Sequence, residues 1–185
     1  YQPDAGKILL ENKPVKFFTP QIAETNGVTA IHQETVLFDE LSVAENIFLG
    51  HEPKGRFGLI DRSVMFARSE EILNEIGANI DPKAILKDLG TANTHLVAIS
   101  RALSIDARVV IMDEPTAALS QKEIDELYDL IETLKSQDKA ILFISHKFNE
   151  IFRIADFYTV YRDGQMVGAG EIDDVSEPEL VKLMV

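Results

Sequence analysis

Short apolar runs recur along the chain, and two of them end directly in polar residues. Residues 109–112 (VVIM) are followed by Asp113 and Glu114, and residues 140–144 (AILFI) lead to His146 two positions on. An uninterrupted apolar run of this length is typical of a strand buried on both faces, as in a parallel sheet. The pattern therefore predicts at least two parallel strands, each with chemically active side chains at its carboxyl end.

Helical and strand patterns alternate over the rest of the chain. Ser42 with Glu45, and Ser120 with Glu123, have the spacing of capping boxes, so a helix is expected to begin after each serine. Such an alternation, with polar residues at the strand ends, predicts an α/β fold. We expect further strands at residues 7–10 and 28–31, helices at residues 20–26, 61–77 and 94–103 and again from residue 148, and a hairpin of residues 157–161 and 165–169 around Asp163-Gly164.

Composition narrows the class of protein. The 185 residues suit one domain, residues 1–185, with 45% hydrophobic content and no cysteine, which excludes disulfides and thiolate metal sites. The net charge of −13 disfavours nucleic-acid binding, which needs a basic face. No apolar run approaches the roughly 20 residues of a membrane span and no signal peptide opens the chain, so a membrane process would be served from the aqueous side. Phe17, Phe18, Phe38 and Phe48 are expected in the core.

The polar residues that follow the strands are of the types that phosphate hydrolysis requires. The carboxyl ends of parallel strands meet in the crevice where open α/β sheets bind ligands. Asp113 can hold a magnesium ion, directly or through water, and Glu114 can orient or deprotonate a water molecule. Gln33, after residues 28–31, can bridge the metal and the attacking water, and His146 can donate a hydrogen bond to a terminal phosphate.

On these residues the chain resembles a known family, the ATP-binding cassette (ABC) ATPases. The resemblance covers nearly the whole chain. The segment VVIMDEP resembles their Walker B strand, with Glu114 as the catalytic glutamate. Gln33 in AIHQE matches the Q-loop glutamine, and His146 in LFISHK matches the switch histidine. The segment AALS resembles the D-loop, with Ser120 where aspartate is usual. The stretches HQETVLFDELSVAENIFLGHEP, GLIDR, DEPTAAL and YRDGQMVGAG further resemble the monosaccharide-import branch (ribose, galactose or xylose type).

The resemblance implies a fold and a function. The fold would be a P-loop-type ABC domain: a parallel core sheet, antiparallel β elements, and a helical subdomain inserted over residues 42–102. The cofactors would be ATP and Mg²⁺, and hydrolysis would power import of a monosaccharide from the cytoplasmic face of the cell membrane. The partners would be permease subunits, a second cassette (fused or dimeric) and, indirectly, a sugar-binding protein.

The phosphate-binding loop of the family, G-x-x-x-x-G-K-[ST], is missing from the sequence. Residues 4–8 (DAGKI) hold a Gly-Lys pair without the upstream glycine or the hydroxyl residue. Residues 1–15 instead resemble the segment that follows the loop's helix, so the strand, loop and helix are expected before Tyr1. We therefore expect little or no hydrolysis by these residues alone, and exposed apolar flanks on the neighbouring strands.

The signature segment is the second departure. Where the family has a Leu-Ser-x-x-Gln-like stretch, the aligned residues are Leu89, Gly90, Thr91, Ala92 and Asn93. Gly90 removes the serine hydroxyl, although Thr91 and the backbone amides at the helix start could partly substitute. The loss of this hydroxyl therefore affects the expected contact with a nucleotide on the opposite cassette more than the chemistry within this cassette.

Two other classes of function fit part of the pattern. A degenerate cassette that acts as a docking or regulatory module would explain Gly90 and Asn93, but intact Glu114 and His146 argue against it. A DNA-repair or chromosome-structure ATPase would share the Walker B strand, but such proteins separate their halves by long coiled coils. No sustained heptads are present here, and the acidic balance further disfavours that class.

Overall fold

Three strands that lie far apart in the sequence form the central sheet. The computed structural model describes residues 5–31, 37–117 and 119–184. Within it the strand order is β3-β4-β5, all parallel, with Ile31 opposite Met112 and Asp113 opposite Ile144. The three carboxyl ends therefore meet at one edge. The strands are β1 (Ile8–Leu10), β2 (Lys13–Val15), β3 (Val28–Ile31), β4 (Val109–Asp113), β5 (Ala140–Ile144), β6 (Phe157–Arg162) and β7 (Gln165–Glu171).

Seven helices in the described residues surround this sheet or extend from it. They are α1 (Pro20–Thr25), α2 (Val43–Ile47), α3 (Arg62–Glu75), α4 (Thr91–Leu103), α5 (Gln121–Ser136), α6 (Phe148–Ile154) and α7 (Glu177–Met184). The α/β fold expected from the sequence is confirmed. None of the described helices is both long and apolar enough to cross a membrane.

Side chains cap the start of three of these helices, at the two expected capping boxes and at Asp61. The Glu45 carboxylate accepts from the Ser42 amide at 2.9 Å, and Ser42 Oγ accepts from the Glu45 amide at 3.2 Å. Asp61 caps α3 by accepting from an amide in its first turn. The Glu123 carboxylate accepts from the Ser120 amide at 2.7 Å at the start of α5. Because each bond satisfies an otherwise free amide, these side chains fix where the helices begin.

Two antiparallel pairs stand beside the parallel sheet: β1 with β2 and β6 with β7. The turn between β6 and β7 has φ of 51° at Asp163 and 75° at Gly164. Positive φ at both central residues is what a tight two-residue hairpin turn requires, and Asp-Gly adopts it at low cost. The predicted hairpin is confirmed.

The buried side chains form two principal clusters that meet at α4. One cluster lies between the parallel sheet and α5, and includes Val110, Met112 and Ile131. The other joins α2, α3 and α4 around Phe48. Helix α4 contributes Ile99 to the first cluster and Val97 to the second. It therefore connects the sheet to the helical region.

Some sequence expectations about position and burial are wrong. Helix α4 begins at Thr91, three residues earlier than predicted, because a first helical turn needs no apolar residue. Phe48 is buried, but Phe18 and Phe38 are exposed.

The expectation that the parallel strands are buried on both faces is wrong: on β4 buried positions alternate with partly accessible ones, and on β5 exposed positions alternate with partly accessible ones. Val110 and Met112 are inaccessible, whereas Leu142 and Ile144 on β5 are 54% and 44% exposed. Side chains alternate between faces along a strand, and the described helices cover one face more completely than the other. The expectation of exposed apolar flanks is thereby confirmed.

Candidate functional site

The site is built where β4 and β5 end. Asp113 is the last residue of β4, and the amide of Glu114 donates to the carbonyl of Ile144 at 2.9 Å. This bond extends the β4–β5 pairing by one residue beyond the strand. It keeps the loop after β4 against the loop after β5, so the side chains that follow both strands come together.

Glu114 and His146 are in direct contact. His146 Nδ1 lies 3.0 Å from Glu114 Oε1, with side-chain exposures of 66% and 38%. An ionised carboxylate can only accept, so the proton of this hydrogen bond lies on Nδ1. Nε2 is then left to interact with a ligand in the crevice. The sequence predicted that these residues share a site, and the structure adds the bond between them.

Glu114 has a backbone conformation that is rare for a residue with a side chain. Its φ is 45°, in the left-handed region. Such a conformation costs on the order of 1–3 kcal/mol and persists only where the surroundings hold it. The loop after β4 must therefore be stabilised by neighbouring contacts.

A buried carboxylate provides such contacts. Glu150, on α6, is 2% exposed. It accepts hydrogen bonds from Thr116 Oγ1 at 2.6 Å and from Ser145 Oγ at 2.7 Å, and Lys147 Nζ lies 3.0 Å from its Oε1. Burial alone would raise the pKa of Glu150, but these three donors together hold the pKa below the usual 4.5. Glu150 is therefore a paired anion beneath the two loops.

Sequence reasoning missed this cluster. Thr116, Ser145 and Lys147 flank the residues that were identified, but Thr116 and Glu150 are 34 positions apart. The spacing of Lys147 and Glu150, three positions apart on one helical turn, was the only local signal. The contacts that join the two loops link residues far apart in the sequence, so no local spacing predicts them.

Metal-ligand chemistry is available from the two acids at the sheet edge. Asp113 and Glu114 are adjacent and both partly accessible. Within residues 5–31, 37–117 and 119–184, no group of three His, Asp or Glu side chains is arranged to hold a metal ion. Magnesium commonly binds through one or two carboxylates, with water and substrate phosphates completing its shell, and Asp113 at the strand end has the ligand chemistry for such an ion. Gln33 lies outside the described residues.

The segment aligned with the family signature opens α4. Gly90 is the N-cap residue and makes no side-chain hydrogen bond, and Thr91, Ala92 and Asn93 form the first turn. Leu89, just before them, packs against the helical cluster. The structure thus places these five residues at a helix N-terminus whose amides can receive an anion.

This helix start lies across a pocket from the segment after β4. Ala92 and His95 line the pocket with Pro115, Leu119 and Glu123. Burial lowers the pKa of His95, and the negative charge of Glu123 acts against that change. Ser120, the N-cap of α5 and the residue predicted at the D-loop position, is exposed. The pocket thus lies between the start of α4 and the segment that follows β4.

The fold and the arrangement of strand ends define an ATP-binding-cassette domain. The chain superposes on a solved ATP-binding cassette of an ABC transporter in its ADP conformation, with a TM-score of 0.80 and 22% identity. That match covers 99% of this chain and 78% of that one. A nucleotide-free cassette gives a TM-score of 0.77 at 20% identity, covering 99% of this chain and 74% of that one. These likenesses establish the fold alone.

Residues 1–117 match the family model described as ABC transporter. The chain belongs to the ABC transporter family.

Curated relatives are similar over the whole chain. The ribose import ATP-binding protein RbsA of Jannaschia sp. (strain CCS1) is 65% identical over 185 residues, and RbsA 1 of Rhizobium meliloti (strain 1021) is 66% identical. RbsA 2 of Streptomyces avermitilis is 42% identical over the same length. The chain spans only 36% or 37% of the length of these three relatives.

Proposed function

We propose that the full-length gene product hydrolyses ATP at this sheet edge and uses the energy to import a monosaccharide, ribose in the first instance. The observation that carries the proposal is the contact between Glu114 and His146 at the ends of adjacent parallel strands. This contact supports the proposal, in which Glu114 accepts the proton of a water molecule and His146 donates to a phosphate oxygen.

Each site residue has a role in this proposal. Glu114 orients the attacking water and accepts its proton, while His146, as the doubly protonated ring, donates to Glu114 through Nδ1 and to the terminal phosphate through Nε2. Asp113 and Gln33 would hold a magnesium ion, which would neutralise charge on the phosphates. Because Glu114 is already positioned by backbone and side-chain bonds, little reorganisation is needed when a nucleotide enters.

The phosphates need a further strand and loop. In the described residues β5 is an edge strand, paired only with β4, and its side chains Leu142 and Ile144 are exposed. An exposed apolar edge strand is a site for pairing with another strand. We assign this edge to the strand that carries the phosphate-binding loop, which would bring the loop's amides beside Asp113 and Glu114.

The signature residues would act on another nucleotide. Residues 89–93 open α4 on the far side of the pocket from Glu114, so they suit contact with a phosphate held by a second cassette. Ser120, in the D-loop position, would lie near the same boundary. Residues 42–102 would form the helical subdomain that faces the permease.

The sugar and the transport partners are inferred from the relatives' names. Three relatives between 42% and 66% identical are called ribose import ATP-binding proteins. Import by such a subunit requires permease subunits in the membrane and, indirectly, a sugar-binding protein, with the cassette at the cytoplasmic face. Uptake of labelled ribose, compared with galactose and xylose, tests the substrate in cells that carry or lack the gene.

Glu114→Gln in the full-length gene product is the decisive test of hydrolysis. The substitution keeps the shape of the side chain but removes the proton acceptor, so ATP turnover should fall by ~100-fold or more while ATP binding is retained. Glu70→Gln, the same chemical change at an exposed position on α3, should leave turnover unchanged. Unchanged turnover in Glu114→Gln would contradict the assignment.

A docking or regulatory module without hydrolysis is the second candidate. It is favoured by Gly90, which leaves α4 without a side-chain cap at the position of the family's serine. Under this alternative the wild-type gene product would bind its permease but show no magnesium-dependent ATP turnover. The same assay with wild-type protein therefore separates the two candidates.

A further inference from the structure

We propose that Glu150 is a positioning residue for hydrolysis, which acts by holding together the two loops that carry Glu114 and His146. This inference rests on the proposed function of that pair. Glu150 itself is buried and touches neither of the two side chains, so it would act only through the backbone of the loops.

Each carboxylate oxygen of Glu150 holds a different loop. Oε1 accepts from the hydroxyl of Thr116 at 2.6 Å, two residues after Glu114. Oε2 accepts from the hydroxyl of Ser145 at 2.7 Å, one residue before His146. The carboxylate thus joins the segment after β4 to the segment after β5 by two short charge-assisted hydrogen bonds.

Lys147 closes the arrangement. Its Nζ lies 3.0 Å from Glu150 Oε1 and 3.0 Å from Thr116 Oγ1, and its amide donates to Ser145 Oγ at 3.1 Å. The cation balances the buried charge, and every polar group in the cluster has a partner. A buried polar network of this kind, when fully satisfied, gives rigidity to the segments that it joins.

The two side chains above this cluster need such support. Glu114 has a left-handed backbone with φ of 45°, and its carboxylate meets His146 at 3.0 Å while both side chains are partly open to solvent. A single contact between two partly exposed side chains does not fix their geometry strongly. A displacement of ~1 Å at a reacting group can cost ~100-fold in rate, so the loops beneath the pair determine its effectiveness.

A purely structural role for Glu150 predicts a different result. Glu150 is also an acidic residue in the first turn of α6, where it interacts favourably with the helix dipole. If that were its only role, its loss would reduce the amount of folded protein but leave kcat of the folded fraction unchanged. A positioning role lowers kcat in protein that remains folded and leaves the KM for ATP nearly unchanged.

The first test uses Thr116, because its side chain can be changed without removing the buried charge. Thr116→Val keeps the shape and removes the hydroxyl donor, whereas Thr116→Ser keeps the donor. In the full-length gene product, Thr116→Val should lower kcat for ATP ~10- to ~100-fold with KM changed less than about twofold. Thr116→Ser should retain most of the wild-type kcat.

The second test removes the charge and follows the loops directly. Glu150→Gln should lower kcat as Thr116→Val does and should add little to the loss already caused by Glu114→Gln, because both act on one step. Hydrogen–deuterium exchange should increase in residues 113–120 and 144–150 while the α5 core stays protected. Glu179→Gln is the matched control, since Glu179 also accepts from a serine, Ser176, but at the distant start of α7.

The outcomes separate this inference from the function on which it rests. If wild-type protein does not hydrolyse ATP, the proposed function is overturned and the positioning role with it. If wild-type protein hydrolyses ATP and folded Thr116→Val keeps its kcat, only the positioning role is overturned. A loss of kcat in Thr116→Val, rescue by Thr116→Ser and local exchange confined to the two loops would support it.

Discussion

The loops after β4 and β5 differ sharply from the segment that opens α4, although the resemblance assigns both to nucleotide contact. The first region is fixed by a backbone bond from Glu114 to Ile144 and by the buried carboxylate of Glu150. At the second, Gly90 caps α4 with no side-chain hydrogen bond and is exposed. The residues proposed for chemistry within the cassette are thus strongly constrained, and those proposed for contact across cassettes are not.

This difference indicates which of the two regions is better built for its proposed role. A preorganised acceptor and donor lower the reorganisation that a reaction requires, so the β4–β5 edge is suited to chemistry. A helix start without a side-chain cap relies on backbone amides alone, which bind an anion but provide little selectivity. Substitutions in the two regions should therefore have effects of very different size.

The largest effect should come from His146→Ala in the full-length gene product. Loss of the imidazole leaves Glu114 unsupported and removes a donor to the terminal phosphate, so ATP turnover should fall ~10²- to ~10⁴-fold. ATP binding, measured by equilibrium titration, should be retained, because the phosphates are held mainly elsewhere. Turnover within about twofold of wild type would show that the β4–β5 edge is not the catalytic region.

An intermediate effect, on stability, should come from Glu150→Gln. At pH 7 the substitution should lower the free energy of unfolding by about 2 kcal/mol, because hydrogen bonds to a charged acceptor are lost in a buried place. The pKa of Glu150 is held below the unfolded value of 4.5, so its stabilising contribution is present above that value and is lost as the pH falls through the folded pKa.

The pH dependence provides the check on that prediction. Denaturant unfolding of wild type and Glu150→Gln between pH 7 and about pH 3 should show a difference that narrows as the pH falls. Other carboxylates titrate in both proteins and cancel in the comparison. A difference that stays constant with pH would show that Glu150 is not an ionised acceptor in the folded protein.

The smallest effect should come from Gly90→Ser at the start of α4. Gly90 has φ of −74° and open space where a Cβ would stand, so serine fits and its hydroxyl can cap the helix. Stability should rise by only about a few tenths of a kcal/mol, as expected for glycine replaced by serine at an N-cap. Thermal unfolding measures this gain.

Gly90→Ala is the control for that substitution, since it adds the Cβ without the hydroxyl. If the hydroxyl matters across cassettes, ATP turnover should rise in Gly90→Ser and stay unchanged in Gly90→Ala. Equal ATP turnover in wild type, Gly90→Ser and Gly90→Ala would show that the backbone amides at the start of α4 are sufficient without a hydroxyl. The β4–β5 edge and the start of α4 would then differ in their effect on stability only.

Much of the fold was predictable because its signals are local. The apolar runs of β4 and β5, the capping pair Ser42 and Glu45, and the Asp163-Gly164 turn each depend on a few neighbouring residues. The β4–β5 pairing brings together Asp113, Glu114 and His146 as expected from strands that share one edge. The roles assigned to Asp113, Glu114 and His146 stay predictions, as do Gln33 and the roles assigned to residues 89–93 and Ser120.

The amino-acid order alone determined most of the element types, with β2 and α7 not predicted, their boundaries to within a few residues, and the two strand ends that carry the acids and the histidine. Only the tertiary structure decided that Glu114 meets His146, that Glu150 lies beneath both loops, and that Leu142 and Ile144 face outward. The reason is physical. Helix caps and turns are stabilised by bonds between near neighbours, whereas burial and charge pairing depend on which distant segments pack together.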